Sequence, residues 1–384
     1  MSYLRTVEKG TSVKSLGIIE EPTATKPGVF DFVYRDQYSI LDWGKMPMPD
    51  GKVMDNRPVA LVAAFNHEHL RRYSIPTCYL NPVDDAGVAK SSVDWFRENG
   101  QVPRTLRMQM VNVLKPVFDE KTGKWDYSVF KDPPVNNYVH PIEFIWRAEA
   151  GPDSSFWKNV TKGSYKLSDF GLPADLKPGD KFPAPIFDHS SKYEDHDRYF
   201  SPAVAYELGD FNVERWEKLN RSRYWVNRLL TDHAESVGLR RPDSKQEFVV
   251  MMVNGTLVDA LGDVAGTWHE DRYEHTTKGG KLVKVSKQTP RDLHKLQDPA
   301  WVKQCEEAKA KAEKEGHPDW KAFVSLEPRP LEAEFFDQYN NLMYAASNAW
   351  VKWNAFPQAS SLEKACVEFD RYLSDYKERL KKTA

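Results

Sequence analysis

The sequence predicts an α+β fold of two lobes, in which antiparallel sheets pack against helices. Two apolar runs meet at Asn254-Gly255, the strongest local signature of a β-hairpin. Residues 1 to about 115 are rich in strand-like runs, and after Asn212 apolar residues recur at helical three- and four-residue steps. At 384 residues and 44.3 kDa, the chain is long enough for two lobes with substantial cores.

The N-terminal part of the chain combines predicted strands with one helix. Val29 to Tyr34 has strand-like composition, and residues 58 to about 73 place apolar side chains on one helical face. Residues 9–17 form a polar turn that carries Lys14. A lysine in a turn between strands can bind nucleotide phosphates together with backbone N–H groups, and an exposed loop is the alternative interpretation.

The middle of the chain alternates strand-like runs with turns. Val111 to Leu114 and Ile142 to Trp146 have strand composition, with a turn at residues 120–123 between them. Glu143 and Arg147 share one face of the second run, because side chains on a strand alternate. Arg147 is therefore expected either to pair with Glu143 or to reach a ligand anion.

A connector and a long helix precede the hairpin. Residues 173–185 contain Pro and Gly and predict the connector. Asn212 can cap a helix that runs to about Val237 and ends at Gly238. The apolar residues of this helix are expected to be core, and the helix is expected to lie behind the hairpin.

Three further helical segments follow Arg291. Residues 300–316 are rich in Lys, Glu and Ala and predict a solvated helix with no catalytic role. Residues 330–356 predict a helix rich in aromatic side chains, and residues 362–380 predict an amphipathic helix that covers a core or mediates self-association. The expected domains are a strand-rich lobe, a larger mixed lobe and a helical C-terminal part, at residues 1–115, 116–295 and 296–384.

The register of the hairpin decides which acidic side chains face each other, because a shift of one residue reverses every face. A two-residue turn at Asn254-Gly255 would place Glu247 opposite Gly262, with Asp263 on the other face. A three-residue loop over Asn254 to Thr256 would place Glu247 across from Asp263. We expect the three-residue loop; with the two-residue turn, Asp259 would be the alternative acid.

Three carboxylates and one lysine then converge on one face of the hairpin: Asp243, Glu247, Asp263 and Lys245. Close like charges repel strongly, and burying them without compensation is costly. A hard divalent cation that holds nucleotide phosphates, typically Mg²⁺, would resolve the repulsion. The alternative is a solvated hairpin edge on which Lys245 makes an ordinary surface pair.

Composition limits the classes of partner. The formal net charge is −2, so no basic excess indicates a nucleic-acid partner or an anionic membrane surface. No apolar run approaches membrane-spanning length, and the first residues lack a signal-peptide core, so we expect a cytoplasmic protein. The cysteines, Cys78, Cys305 and Cys366, are widely spaced and are expected to be buried thiols.

Short motifs along the chain resemble, in combination, those of one enzyme family. Residues 243–248 have the pattern Asp-x-Lys-x-Glu-Phe, and residues 140–147 contain Pro-x-Glu-x-x-x-Arg. Similar segments occur in the family's order at residues 9–17, 36–42, 190–198, 266–272 and 286–291. Together they make the chain similar to the phosphoribosylaminoimidazole-succinocarboxamide synthase (SAICAR synthetase) family of purine biosynthesis.

The resemblance implies a SAICAR-synthetase-like two-lobed fold with ATP in the cleft between the lobes. It also implies a ligase that joins carboxyaminoimidazole ribonucleotide to L-aspartate through an acyl phosphate, giving SAICAR, ADP and phosphate. The implied partners are these small molecules, with ATP and Mg²⁺ as cofactors and a homo-oligomer as an option. A carboxylate does not accept an amine at neutral pH because its leaving group is oxide, so phosphoryl transfer is the expected activation.

The resemblance also implies a role for individual residues. The catalytic residues would be Lys245, Glu247, Asp263 and Arg272, and Asp243, Glu247 and Asp263 would bind Mg²⁺. Ribonucleotide and aspartate would be bound by Arg147, Ser154, Ser155, Lys192, Asp197 and His269. ATP would be bound by Lys14, Lys287 and Arg291.

Four positions, at three places in the chain, depart from the family pattern. Arg57-Pro58 stands where the family has Lys-Gly. Pro58 lacks a backbone N–H donor, and Arg57 has a planar guanidinium group in place of the compact ammonium group of lysine. Asp153 replaces a Gly and brings a negative charge, and His269 stands where the family has Asp. The alternative function is therefore a divergent family member that binds nucleotide but uses a different amine or has lost ligase activity.

Overall fold

An antiparallel five-stranded sheet is built from the first 110 residues of the chain. The computed structural model describes residues 3–7, 13–152, 154–194, 197–253, 255–315, 317 and 319–383. The strands are β1 (Arg5–Val7), β2 (Lys14–Glu20), β3 (Gly28–Tyr34), β4 (Tyr79–Val83) and β5 (Thr105–Met110), in the order β1-β2-β3-β5-β4. The predicted strand-rich N-terminal part is confirmed; residues 9–12 of the predicted basic turn lie outside the described residues.

Helix α1 (Arg57–Arg71) packs against this sheet and confirms the helix predicted over 58–73. Glu68 ties it to β4 and to the short helix α2 (Val93–Glu98), because its carboxylate accepts from the Tyr79 hydroxyl and the Val93 N–H, each at 2.9 Å. Arg57 begins the helix, and its guanidinium is held by Asp55 at 2.6 Å. The departure at Arg57-Pro58 therefore forms a local ion pair.

A seven-stranded antiparallel sheet forms the second layer of strands. It contains β8 (Tyr138–Glu149), β9 (Lys181–Ser191), β10 (Tyr199–Phe200), β11 (Arg240–Val253), β12 (Thr256–Leu261), β13 (Arg272–Thr276) and β14 (Leu282–Lys284). The order is β10-β9-β8-β11-β13-β14, with β12 paired to the outer half of β11. The long central strands β8 and β11 carry most of the predicted site residues, which gives those side chains a rigid support.

Between the two sheets, the chain confirms one prediction and corrects two. A small hairpin of β6 (Val117–Asp119) and β7 (Lys124–Asp126) surrounds the predicted turn at 120–123. The predicted strand at Val111–Leu114 is wrong, since only Asn112 forms an isolated bridge there. The predicted connector is too long at its end, because β9 begins at Lys181.

The hairpin of β11 and β12 exists, but its predicted three-residue loop is wrong. Val253 pairs directly with Thr256, so two residues form the turn; Asn254 lies outside the described residues, and Gly255 has φ +79°. Such a turn matches the twist of the flanking strands, which explains the preference for Asn-Gly. The Gly262 N–H consequently donates to the Glu247 carbonyl at 2.8 Å, and Asp263 lies just beyond the last paired residue.

Helix α5 (Val213–Ser236) lies behind the hairpin, as predicted. The Asn212 side chain caps it by accepting from the Arg215 N–H at 2.9 Å, and Gly238 follows with φ +77°. Asn227, which is buried on this helix, joins it to β11: its Oδ1 accepts from Arg241, Ser244 and Gln246 at 2.9–3.0 Å.

We expect Asn227→Leu to lower the free energy of unfolding by about 3 kcal/mol, because three buried donors would lose their acceptor and each unsatisfied polar group costs about 1–3 kcal/mol. Urea unfolding at neutral pH measures the change. Glu217→Leu, at an exposed position on the same helix, is the control. Equal losses of unfolding free energy in the two variants would show that the hydrogen bonds accepted by Asn227 do not stabilise the fold.

The C-terminal part adds helices α6 (Gln288–Gln297), α7 (Pro299–Glu315), α8 (Ala333–Val351) and α9 (Leu362–Thr383). Helix α8 packs on α1, where Trp350 Nε1 donates to Asn66 Oδ1 at 2.7 Å, and α9 buries its apolar face on α8. The sequence predicts that helix α9 covers a core or mediates self-association, and the structure shows that it covers a core. The prediction of a solvated α7 is wrong, because Trp301, Cys305 and Ala308 are buried along one face.

All three cysteines are buried free thiols, as expected. In the part of the chain that the structure describes, none of the helices combines the length and apolar character needed to cross a membrane.

Candidate active site

A cavity of about 570 Å³ opens beside strands β8 and β11 and is covered by α6 and α7. Its walls are strongly polar and carry acids and bases side by side. The lining residues include Asp42, Glu143, Arg147, Ser155, Asp197, Asp243, Lys245, Glu270, Asp271, Arg272, Lys287, Arg291, Lys309 and Trp320. Seven of the side chains assigned to catalysis, substrate or ATP, Asp197 among them, thus share one cavity with the proposed metal ligand Asp243.

One end of the cavity is organised by Arg147, whose side chain is 4% exposed. Its Nε donates to Asp188 at 3.0 Å, and its Nη2 donates to the Ser155 hydroxyl at 3.0 Å, at the start of helix α3 (Ser155–Thr161). Tyr165 fixes the other oxygen of Asp188 at 2.6 Å. Arg147 therefore pairs with Asp188 rather than with Glu143, and it faces the cavity in a locked orientation.

Asp243 lies between two arginines at the same end. Its carboxylate is bound by Arg272, its partner across β11 and β13, and lies 3.7 Å from Arg147 Nη1. A carboxylate placed in this way neutralises and orients both guanidinium groups. Planar, bidentate donors are well suited to phosphate or carboxylate, so Arg147, Ser155 and Arg272 form an anion-binding end.

Lys245 stands at the centre of a group of acids. Its Nζ lies 2.7 Å from Glu143, 3.6 Å from Glu247 and 3.8 Å from Glu270. Burial disfavours the ammonium, but the three carboxylates outweigh that effect and hold the pKa of Lys245 well above its usual value. Lys245 is therefore a fixed positive charge on the cavity wall.

The inner end of the site lies where the two sheets meet. Lys14 on β2 pairs with Asp263 at 2.5 Å, and Lys192 pairs with Glu247 at 2.5 Å. Asp263 has φ +46°, a left-handed conformation that turns the chain back after β12. Burial raises the pKa of Glu247 and Asp263 raises it further, but Lys192 and Lys245 hold it below its usual value, so Glu247 is ionised.

The structure does not bring the three predicted Mg²⁺ ligands together. Asp243 is held by arginines at the opposite end, whereas Glu247 and Asp263 lie near each other among lysines. Within the described residues, no group of three His, Cys, Asp or Glu side chains is arranged to hold a metal ion. Two carboxylates do suit Mg²⁺ when substrate phosphates supply the other oxygens.

Asp259, the alternative third acid, belongs to another part of the sheet. It pairs across the hairpin with Val250, and its carboxylate is bound by His140 and Arg215 at 2.7 Å each. Burial raises the pKa of Asp259, but the contacts with His140 and Arg215 outweigh that effect and lower it to about 2. Its charge is satisfied inside the fold, so it supports the hairpin from the face opposite the cavity.

A second cavity of about 180 Å³ adjoins the first and contains His269. The two cavities share Asp42, Glu270, Lys287 and Arg291 in their walls. Burial and the nearby Lys287 lower the pKa of His269 to about 3, so this side chain is neutral. His269 therefore presents a neutral ring where the family pattern has a carboxylate.

Two predicted substrate contacts have other partners in the structure. Ser154 caps α3 by accepting from the Trp157 N–H at 3.4 Å, and Lys192 is engaged by Glu247. Neither lines the two cavities. Asp153, the unexpected acid beside Ser154, lies outside the described residues.

Sequence reasoning missed two acids that the structure places at the centre of the site. Glu270 lies 3.8 Å from both Lys245 and Lys287, and Glu143 holds Lys245. Glu270 follows His269 directly in the motif, and its residue type alone does not distinguish it from an ordinary surface acid. Alternation on β8 predicts only that Glu143 shares a face with Arg147, whereas the pairing of β8 with β11 places Glu143 directly across from Glu247.

His67 on α1 contacts the backbone at the inner end of the site, and its protonation makes the stability of the fold depend on pH. It is fully buried, its Nε2 contacts the Asp263 carbonyl at 3.1 Å, and burial lowers its pKa from 6.5 to about 4. An unfolded chain binds this proton more tightly, so the stability that neutral His67 contributes is lost as pH falls from about 6.5 towards 4.

We expect the free energy of unfolding of His67→Gln to fall less between pH 7 and pH 5 than that of the parent protein, by roughly 2 kcal/mol. Urea unfolding at both pH values measures the difference. The same substitution at exposed His317 is the control. An unchanged pH dependence in His67→Gln would show that His67 does not carry this linkage.

The comparisons with known proteins agree on one family. A family model described as SAICAR synthetase matches residues 138–308. A protein of Archaeoglobus fulgidus, provisionally described as a phosphoribosylaminoimidazole-succinocarboxamide synthase, is 31% identical over 338 residues, which cover 88% of this chain and 92% of the relative. A synthase of the same description from Thermoplasma acidophilum is 25% identical, over 54% of this chain and 69% of its own.

Solved structures show the same fold. The SAICAR synthase of Saccharomyces cerevisiae in complex with SAICAR superposes with a TM-score of 0.56 and 16% sequence identity, over 92% of this chain and 97% of that structure. A second structure, described as SAICAR synthase, gives a TM-score of 0.55 at 16% identity, over 91% of this chain and 96% of that one. The predicted α+β, two-lobed architecture is confirmed.

Proposed function

Because the chain belongs to the SAICAR synthetase family, we propose that it joins carboxyaminoimidazole ribonucleotide to L-aspartate at the expense of ATP. The products are SAICAR, ADP and phosphate, and the reaction is a step of purine biosynthesis. The observation that carries the proposal is the cavity itself, whose anion-binding end at Arg147 is linked through Lys245 and Glu270 to the lysines and acids at the sheet junction.

The anion-binding end suits the phosphate of the ribonucleotide. Arg147 and Arg272 are held in place by Asp188 and Asp243, and Ser155 adds a hydroxyl beside Arg147. Prepositioned donors bind an anion without first having to be ordered, which lowers the cost of binding. This assignment places the reacting carboxylate of the same substrate further along the cavity, towards Lys245.

The reaction needs an activated carboxylate. The γ-phosphoryl group of ATP would pass to a carboxylate oxygen, the amine nitrogen would then attack the carbonyl carbon, and phosphate would leave with that oxygen. Charge moves between oxygens throughout, so fixed cations stabilise the transition states. Lys245, kept protonated by Glu143, Glu247 and Glu270, would supply such a charge without moving.

The sheet junction suits the nucleotide. Lys14 would contact its phosphates, and Glu247 and Asp263 would hold Mg²⁺ together with phosphate oxygens, while Asp243 keeps its place between the arginines. A bound Mg²⁺ would neutralise phosphate charge during transfer. The family's magnesium requirement is thus assigned to two acids of this chain rather than three.

An assay of the purified protein with ATP, Mg²⁺, L-aspartate and carboxyaminoimidazole ribonucleotide tests the proposal. We expect ADP release that requires both organic substrates, together with the absorbance of the new amide. The second cavity contains neutral His269, so the same assay run with other amines tests the alternative that this member uses a different one. ADP release independent of every amine would refute the ligase.

Three sequence-based expectations stay predictions: the domain boundaries near residues 115 and 295, the cytoplasmic location, and the formation of a homo-oligomer.

A further inference from the structure

A helical arm forms one wall of the large cavity. We define the α7 arm as helix α7 together with the following turn, Trp320–Phe323. Trp43 packs against both parts of the arm: its ring centroid lies 5.6 Å from that of Trp301 and 6.0 Å from that of Trp320. The family-model match ends at residue 308, so the cavity-lining residues Lys309 and Trp320 lie beyond the matched segment.

Lys309 is held at the mouth of the cavity by two contacts. Its Nζ lies 2.7 Å from Asp42 Oδ2 and 4.9 Å from the ring centroid of Trp320. Leu41 and Asp42 are both left-handed, with φ of +52° and +61°. L-residues seldom adopt this conformation, and it clusters at functional sites. The backbone is thus held in an unfavourable form that places Asp42 on the walls of both cavities.

The arm adds positive charge where the two cavities meet. Lys287 and Arg291 line both cavities, and Lys309 stands beside them. Nε of Arg291 is buried and has no hydrogen-bond partner among the described residues. A buried donor without an acceptor is costly, and a ligand oxygen would relieve that cost.

Resting on the proposed function, we infer that the α7 arm completes the amine subsite and that Lys309 binds a carboxylate of an amino dicarboxylic acid. The ribonucleotide phosphate uses the Arg147 end, and ATP uses the sheet junction, which leaves the mouth for the amine. An amino dicarboxylate carries two negative charges and one positive charge. Lys309 and Arg291 match its carboxylates, Asp42 matches its ammonium group, and Trp320 covers it.

The chain supplies a matched control for Lys309. Lys311 lies two residues along the same helix, is exposed, and stands 4.3 Å from the Phe323 ring centroid without lining either cavity. Lys309→Met and Lys311→Met therefore remove the same charge from the same helix. Lys309→Arg retains the charge and serves as the conservative variant.

We expect Lys309→Met to raise the KM for L-aspartate by about 10- to 100-fold, the range for losing a hydrogen bond to a charged group. The KM values for ATP and ribonucleotide should stay within about twofold, and Lys309→Arg should recover much of the loss. Lys311→Met should resemble the parent. Equal KM values for aspartate in the Lys309→Met and Lys311→Met variants would overturn the inference while leaving the ligase function intact.

Calorimetric titration with L-aspartate separates this inference from the ligase function. If the parent protein shows no turnover, aspartate binding that is weakened in Lys309→Met but not in Lys311→Met still supports the subsite. Binding that is equal in both variants, or absent from the parent protein, refutes it.

Discussion

Glu247→Gln is expected to lower kcat by about 100-fold or more, while the protein stays folded. Glutamine has nearly the shape of glutamate but removes one negative charge beside Lys192 and Lys245. In the proposed site that charge helps to hold Mg²⁺ against the phosphates, and loss of one such electrostatic contact typically costs about 10²-fold or more in rate. ADP release measured across a Mg²⁺ titration gives the size of the effect.

Glu214→Gln is the matched control for this experiment. Glu214 is exposed, pairs with Lys218 one helical turn away on α5, and does not line the cavity. An exposed pair of this kind is screened by solvent and does not touch the site, so turnover should match that of the parent. Undiminished turnover of Glu247→Gln at every Mg²⁺ concentration would remove the acidic hairpin from the mechanism.

Arg241→Met is expected to lower the free energy of unfolding by about 3–5 kcal/mol, the cost of leaving a buried charge without its partner. Arg241 Nε donates to Asp271 at 2.6 Å, and both side chains are fully buried. Asp271 lies between Glu270 and Arg272, so the pair also anchors two residues of the cavity wall. Chemical unfolding of the purified variant measures the loss.

The double variant Arg241→Met/Asp271→Asn tests the cause. Removing the second charge should recover part of the lost stability, because the uncompensated carboxylate is gone. Arg228→Met, which breaks an exposed pair with Asp232 on α5, should cost no more than about 1 kcal/mol. A double variant no more stable than Arg241→Met would point to lost packing rather than to the buried charge.

Local sequence patterns predicted the elements of the fold better than their mutual placement. Helix α5 follows from its cap, its apolar spacing and its terminal glycine, which all act within a few residues. The hairpin follows from Asn254-Gly255, but its turn has two residues rather than the predicted three, and Asp263 still comes close to Glu247 because the chain turns back after β12. The position of Asp263 depends on its left-handed backbone and on Lys14, a residue 249 positions away, which no local pattern reveals.

The candidate site shows the same limit. The motifs predicted the residues on β8 and β11, because strand alternation sets which side chains share a face. They could not show that Asp243 is shared by two arginines, or that Glu270 rather than His269 meets the lysines. The composition of helix α7 predicts a solvated helix because charged residues dominate it. In the structure its apolar face is buried, and Lys309 lines the cavity.

The mixed charge of the cavity bears on how substrates arrive. Its described lining contains seven acidic and six basic side chains, so at a distance their fields largely cancel. An anionic nucleotide is then not drawn in by long-range steering, and its association rate should depend little on ionic strength. A bound anion must displace an internal carboxylate from a lysine or arginine. We therefore expect correct and incorrect substrates to differ in their dissociation rates more than in their association rates.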